Sequence, residues 1–159
     1  MVNINYDTSV VKERAREFAE GFAASVAPEL DLSAHIAEDE GDNLVIAFGG
    51  TDAARMVGRN GQVLDALGFI ASQILNRRGA ARIRIQFDAD NYRKKREATL
   101  IKLATDVAEQ VMGSGNEAVL DPLSPAERRI IHNVLAEMPG VRTYSEGEEP
   151  NRYIVIAPA

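Results

Sequence analysis

The sequence predicts an α+β chain built from two small modules. Three observations carry this. Apolar stripes at helical spacing alternate with short segments of period-two alternation. Two pairs of such segments are joined by polar turns of hairpin type. The order α-β-β-α-α-β, followed by α-β-α-β-β, fills 159 residues without an internal repeat. A boundary near Asp88–Asp90 leaves almost no linker, giving modules 1–88 and 89–159. Cores that small are thin, so the two modules are expected to pack closely.

The elements follow in order. Val10, Val11, Arg14, Phe18 and Phe22 set a helix over 8–26, which Pro28 ends. Leu32, Ala34 and Ile36 alternate as a half-buried strand, and Leu44–Phe48 is its partner. Glu38–Asn43 reads as the polar turn between them, and Gly49-Gly50 breaks the chain. Thr51 caps a short helix over 52–57. After Gly58-Arg59-Asn60-Gly61 comes a longer helix with Val63, Leu64, Leu67, Ile70, Ala71, Ile74 and Leu75 on one stripe. Asn76-Arg77-Arg78-Gly79 reads as its exit, with cations in the last turn and a glycine after it.

Ile83, Ile85 and Phe87 alternate with Arg82, Arg84 and Gln86, a strand with a basic edge. Asp88 and Asp90 precede a helix from about Asn91 to Met112, striped by Leu100, Leu103, Ala104, Val107 and Val111. Val119-Leu120 is a short extended piece. Ser124-Pro125-Ala126-Glu127 is a capping box with proline at the first helical position. Pro139-Gly140 ends that helix. Arg142–Ser145 and Tyr153–Ile156 close the chain as a hairpin.

Composition narrows the function. Hydrophobic residues make up 45% and charged residues 26%, too apolar for a disordered chain. No apolar run approaches the ~20 residues of a membrane span, and the first seven residues lack the pattern of a secretion signal. Cysteine is absent and there are two histidines, His35 and His132. Disulfides, thiolate nucleophiles and cysteine-based metal sites are therefore excluded. The expectation is a cytoplasmic protein without membrane insertion, metal or cofactor.

The net charge of -6 conceals a strong pattern. Residues 1–51 hold 3 Lys/Arg against 10 Asp/Glu, residues 52–96 hold 10 against 4, and residues 97–159 hold 5 against 10. A basic centre between acidic flanks suits one face for an anionic polymer, although a solvated mix of surface charge gives the same blocks.

Gly58-Arg59-Asn60-Gly61 lies between two helices. Two glycines let another backbone come close, the free N–H groups of the following helix favour phosphate, and Arg59 adds a mobile cation. Spacing alone equally fits a helix–turn–helix corner. The surrounding order of elements favours a nucleic-acid site, and the region resembles a KH domain of the bacterial, type II arrangement. The resemblance implies a G-x-x-G loop that clamps about four nucleotides of single-stranded RNA or DNA.

Arg128 and His132 lie four apart on the helix begun by Ser124, at the rim of the stripe formed by Ile130, Ile131, Val134 and Met138. There their tips are expected to remain accessible for phosphate or a base. Local pairing with an acid or a carbonyl is the alternative for both. Arg-x-x-x-His after Ser-Pro-Ala-Glu-Arg-Arg, with Ser145–Arg152 downstream, resembles an R-three-H domain, a family associated with single-stranded nucleic acids. A KH module joined to an R-three-H module is similar to the bacterial Jag family, also called KhpB or EloR. Asp88-Ala89-Asp90-Asn91-Tyr92-Arg93 also looks like that family. The likeness covers roughly residues 8–159 and leaves out the separate N-terminal Jag domain of many members, since about seven residues precede the first helix.

The expected fold is thus a type II KH domain packed closely against a small α+β R-three-H domain. Arg93-Lys94-Lys95-Arg96 opposes the dipole at its helix start, which suits phosphate contact between the modules as well as a plain solvated face. The candidate nucleic-acid-binding residues are Arg55, Gly58, Arg59, Asn60, Gly61, Arg82, Arg84, Arg93, Lys94, Arg128, His132 and Arg152. Asp88-x-Asp90 and Glu38-Asp39-Glu40 read as a helix cap and a turn rather than metal sites. No catalytic set is identifiable. The resemblance implies an RNA-binding post-transcriptional regulator that is not an enzyme. Single-stranded DNA binding, or pairing with a small KH protein, are the alternatives.

Overall fold

A computed structural model describes residues 8–26, 28–76 and 82–159. The expected exit Arg77-Arg78-Gly79 lies outside the described residues. The chain is α+β and divides into two compact units, the first ending at Arg93 and the second running from Lys94 to Ala159. The first unit thus continues five residues beyond Asp88, because Tyr92 and Arg93 pack onto it.

In the first unit, α1 (Thr8–Val26) precedes the hairpin β1 (Ser33–Glu40) and β2 (Asn43–Gly49), and α2 (Gln62–Leu75) precedes β3 (Arg84–Ala89). The sheet order is β1-β2-β3, with β1 antiparallel and β3 parallel to the central β2. Glu38–Glu40, expected in the turn, extend β1 instead. They pair with Val45, Leu44 and Asn43, beyond an irregularity between Ile36 and Glu38. The short helix expected at 52–57 is a 3-10 turn, Ala53–Met56. A run this short, followed at once by Gly58, cannot build α-helical turns.

One sheet face carries the core. Leu44, Ile46 and Phe48 from β2 and Ile85, Phe87 and Ala89 from β3 are buried. Phe48 stacks on Phe87 at 5.7 Å between centroids. Helix α1 contributes Val11, Ala15, Ala19 and Ala23, spaced by four, while Phe18 and Phe22 are only partly buried and Val10 is exposed. The buried seam is therefore a row of small residues, rotated from the stripe of large ones that the sequence suggests. On α2, Leu64, Leu67 and Ala71 face inward, whereas Ile70 and Ile74 face solvent with Phe69.

The second unit holds most of α3 (Tyr92–Ser114), then β4 (Ala118–Val119), α4 (Pro125–Ala136), β5 (Val141–Glu146) and β6 (Tyr153–Pro158). The strands order as β4-β6-β5, all antiparallel. Leu100, Ala104 and Val111 of α3 and Ile131 and Leu135 of α4 form its core with Ile154 and Ile156; Leu103 is exposed. The capping box forms as expected: Glu127 N–H donates to Ser124 Oγ (3.3 Å), and Ser124 N–H donates to Glu127 Oε2 (2.9 Å).

Candidate nucleic-acid interface

The loop at the head of α2 is built from left-handed backbone. Gly58 (φ 68°), Asn60 (φ 52°) and Gly61 (φ 81°) all have positive φ. A Cβ on Gly58 would collide with the Val63 side chain, so glycine is required there for space as well as for conformation. Val63 N–H closes the loop onto Val57 carbonyl (3.2 Å). Arg59 and Asn60 are exposed at its tip, and Gly61 is buried. The N-cap of α2 is Gly61, which offers no side chain to its first N–H groups. Arg55, just upstream, is exposed and lies 3.7 Å from Asp52.

A brace upstream holds this region. Asp31 Oδ2 accepts from the Thr51 N–H (2.9 Å) and hydroxyl (3.0 Å), while Asp31 N–H donates to Asp52 Oδ2 (3.0 Å). The bonds from Thr51, first its N–H and then its hydroxyl, hold the Asp31 carboxyl below the usual range.

The other basic candidates of this unit do not gather here. Asn76, at the C-terminal end of α2, bonds Ile83 N–H (3.0 Å) and carbonyl (2.8 Å). Arg82 and Arg84 therefore sit by that end, roughly 20 Å along the 14-residue helix from the loop. Arg93 does reach the head of α2, but its guanidinium is engaged. Nε donates to Phe87 carbonyl (2.9 Å) and Nη2 to Asp65 Oδ1 (2.7 Å). In the second unit Lys94 is exposed, and Arg96 pairs with Glu127 (2.8 Å).

A second concavity lies wholly in the second unit, a cleft of about 400 Å³ between α4 and the β5–β6 pair. Its lining includes Arg128, Arg129, His132, Thr143, Ser145 and Arg152. Arg128 differs from its expected rim position. It is 9% exposed, with Nη1 donating to Leu123 carbonyl (2.6 Å) and Nη2 to Glu149 Oε1 (2.5 Å). The cap is the physical reason: at the first turn of α4 the Arg128 stem turns inward beside Glu127, and Glu149 covers its charge.

His132 is exposed, and its Nδ1 lies 2.7 Å from Thr143 Oγ1. Arg152 lines the cleft with a buried Nε that has no hydrogen-bond partner. An orphaned donor in a cationic cleft is what an absent acceptor would satisfy. Sequence reasoning missed Arg129, which is exposed and three residues before His132, hence on the same face. The signal was the adjacent Arg128-Arg129 pair, of which only one member can face the cleft freely. Tyr144 belongs to the opposite strand face with Arg142. Desolvation first, then the bond its hydroxyl donates to Glu117 (3.1 Å), push its pKa up.

Among the described residues no helix is long and apolar enough to cross a membrane, and no cluster of three or more acidic, His or Cys residues is placed to hold a metal. Residues 98–158 match the R-three-H domain, a nucleic-acid-binding domain, which sets the class of this chain. Its relatives set the family. It is 34% identical to the RNA-binding protein KhpB of Clostridium symbiosum over 147 residues, 92% of this chain and 66% of that protein. It is 32% identical to the KhpB of Bacillus subtilis (strain 168) over 147 residues, 91% of this chain and 69% of that protein. With the KhpB of Lactiplantibacillus plantarum it shares 34% over 137 residues, 86% of this chain and 42% of that protein. The chain belongs to the Jag (KhpB) family. It spans between 42% and 69% of the length of these relatives.

Proposed function

We propose that this chain is a single-stranded RNA-binding protein, a post-transcriptional regulator and not an enzyme. The first unit acts as a type II KH domain whose Gly58–Gly61 loop clamps about four nucleotides. The second is the R-three-H domain, whose cleft takes a further stretch of the strand. The observation that carries the reading is the loop itself. Exposed Arg59 and Asn60 stand on left-handed backbone directly before an uncapped helix N-terminus, a geometry suited to phosphate. The printed names of the relatives support RNA as the polymer. In the cleft, Arg129, His132 and Arg152 meet the strand, and Arg128 is the rigid base beneath them.

The test is fluorescence anisotropy with short and long labelled RNA. Replacing Arg59 and Asn60 together by Asp puts two anions at the phosphate site. Binding is expected to fall at least tenfold, about 1.4 kcal/mol, with the fold intact because both side chains are exposed. Unchanged affinity would remove the loop from the interface. The same titration with single-stranded DNA decides between the two polymers.

One observation favours protein pairing as a second reading. Phe69 (66% exposed), Ile70 (45%) and Ile74 (57%) form an apolar strip on α2. Such a strip suits a small KH protein as partner. If Phe69→Glu abolishes RNA binding only in the partner's presence, pairing is the primary role.

A further inference from the structure

Left-handed backbone at three of four loop positions has to be held in place, and the floor under it comes from the segment after β3. An ideal Cβ on Gly61 would stand 2.9 Å from Cε1 of Tyr92, 3.7 Å from Cδ1 and 3.8 Å from Cζ. The tyrosine ring thus lies flush beneath the last glycine of the loop. Two consecutive left-handed residues, Asp90 (φ 53°) and Asn91 (φ 54°), turn the chain back so that Tyr92 reaches it. Asp88 Oδ1 fixes that turn by accepting from Arg93 N–H (3.2 Å).

Arg93 then spans to the next structural piece. Its Nη2 reaches Asp65 in the first turn of α2, while its Nε is tied to Phe87 carbonyl at the end of β3. The pairing also offsets the Asp65 charge, which would otherwise oppose an anion at that helix end. All of these residues lie in the first unit.

We infer that Tyr92 and Arg93 are positioning residues for nucleic-acid binding, setting the Gly58–Gly61 loop and the head of α2 without touching the strand themselves. Arg93, a basic residue on a basic segment, is in this arrangement a brace rather than a phosphate contact. The inference rests on the loop being the binding site, as proposed above.

Salt dependence separates the two roles. A cation that neutralises a phosphate on a single strand contributes about 0.7 to the slope of log K against log salt, and a brace contributes nothing. The experiment measures binding of an equimolar mixture of RNA tetranucleotides across a salt series. It uses the full chain carrying Arg59→Asp, Tyr92→Ala, Tyr92→Phe or Arg93→Gln, with amide exchange in β3 as the check on folding. Arg59→Asp is expected to weaken binding at least tenfold. Tyr92→Ala and Arg93→Gln are expected to weaken it five- to tenfold with the wild-type slope, and Tyr92→Phe, which keeps the ring, to stay within twofold.

A slope reduced by about 0.7 in Arg93→Gln makes Arg93 a phosphate contact and overturns the inference while leaving the loop as the site. Wild-type binding by Tyr92→Ala and Arg93→Gln beside a failing Arg59→Asp does the same. Wild-type binding by Arg59→Asp overturns both. Should Tyr92→Ala fail to fold, Tyr92→Leu, which keeps apolar volume without a flat ring, decides by the same criteria.

Discussion

Arg128 and Arg129 are neighbours in sequence with opposite expected phenotypes. Arg128 exposes 10% of its side chain, and Arg129 is exposed. Truncating Arg128 to Ala removes a charge-assisted bond to Leu123 carbonyl and leaves that buried end of the cap short of a donor, a loss of about 1.5–3 kcal/mol. The lost pair with Glu149 adds little, because the Glu149 side chain is 51% exposed and regains water. The expected destabilisation of the second unit is about 2–3 kcal/mol, or roughly 30- to 150-fold faster exchange of its core amides. Arg129→Ala should stay within about 0.5 kcal/mol, as exposed substitutions do. It should instead weaken binding of long single strands by about 1–2 kcal/mol, roughly 5- to 30-fold. Hydrogen exchange at Ile131 and Leu135, buried on α4, reads the first quantity in the intact chain, and anisotropy reads the second. Unchanged exchange in Arg128→Ala, with a binding loss larger than that of Arg129→Ala, would refute the assignment of Arg128 as a base rather than a contact.

Other outcomes follow from the same geometry. Affinity for single strands should fall with salt at a slope of roughly -2 to -4 in log K against log salt, for several phosphate contacts; a flat dependence counts against the interface. Ile131→Ala, at a fully buried site, should cost about 2–5 kcal/mol, read by urea unfolding. The carboxyl of Asp31 is held below its ordinary value, so its contribution is complete above the unfolded carboxylate pKa and is lost as pH falls through the folded one. Exchange of the Thr51 amide should therefore accelerate below about pH 4 in the wild type, and Asp31→Asn should show no such acid limb.

Much of this was legible in the sequence, for physical reasons that differ by element. The capping box at Ser124 and Glu127 was readable because each side chain bonds the backbone three residues away, so no distant residue decides the outcome. The hairpin of β5 and β6 was readable from period-two alternation, and the Gly58–Gly61 loop from glycine spacing between helices. Residues whose roles depend on distant partners were not. Arg93 is a basic residue like its neighbours until Asp65, 28 positions earlier, is brought beside it. Arg128 looked accessible on a helical wheel, and Glu149, 21 positions later, covers it. The face of α1 was misplaced for a related reason: alanine carries little hydrophobic weight in a stripe, yet close approach to the sheet selects it.

The acidic end of β1 has a further consequence. Glu38, Asp39 and Glu40 lie on an edge strand, all exposed, past an irregular step in its pairing. A row of carboxylates on a broken edge repels any incoming strand, so this side of the sheet is closed to growth by backbone pairing with another chain. The same carboxylates repel a polyanion, leaving the opposite end of the charge pattern as its landing ground. Three residues that hold no ligand thus guard against self-aggregation and misdirected encounter at once.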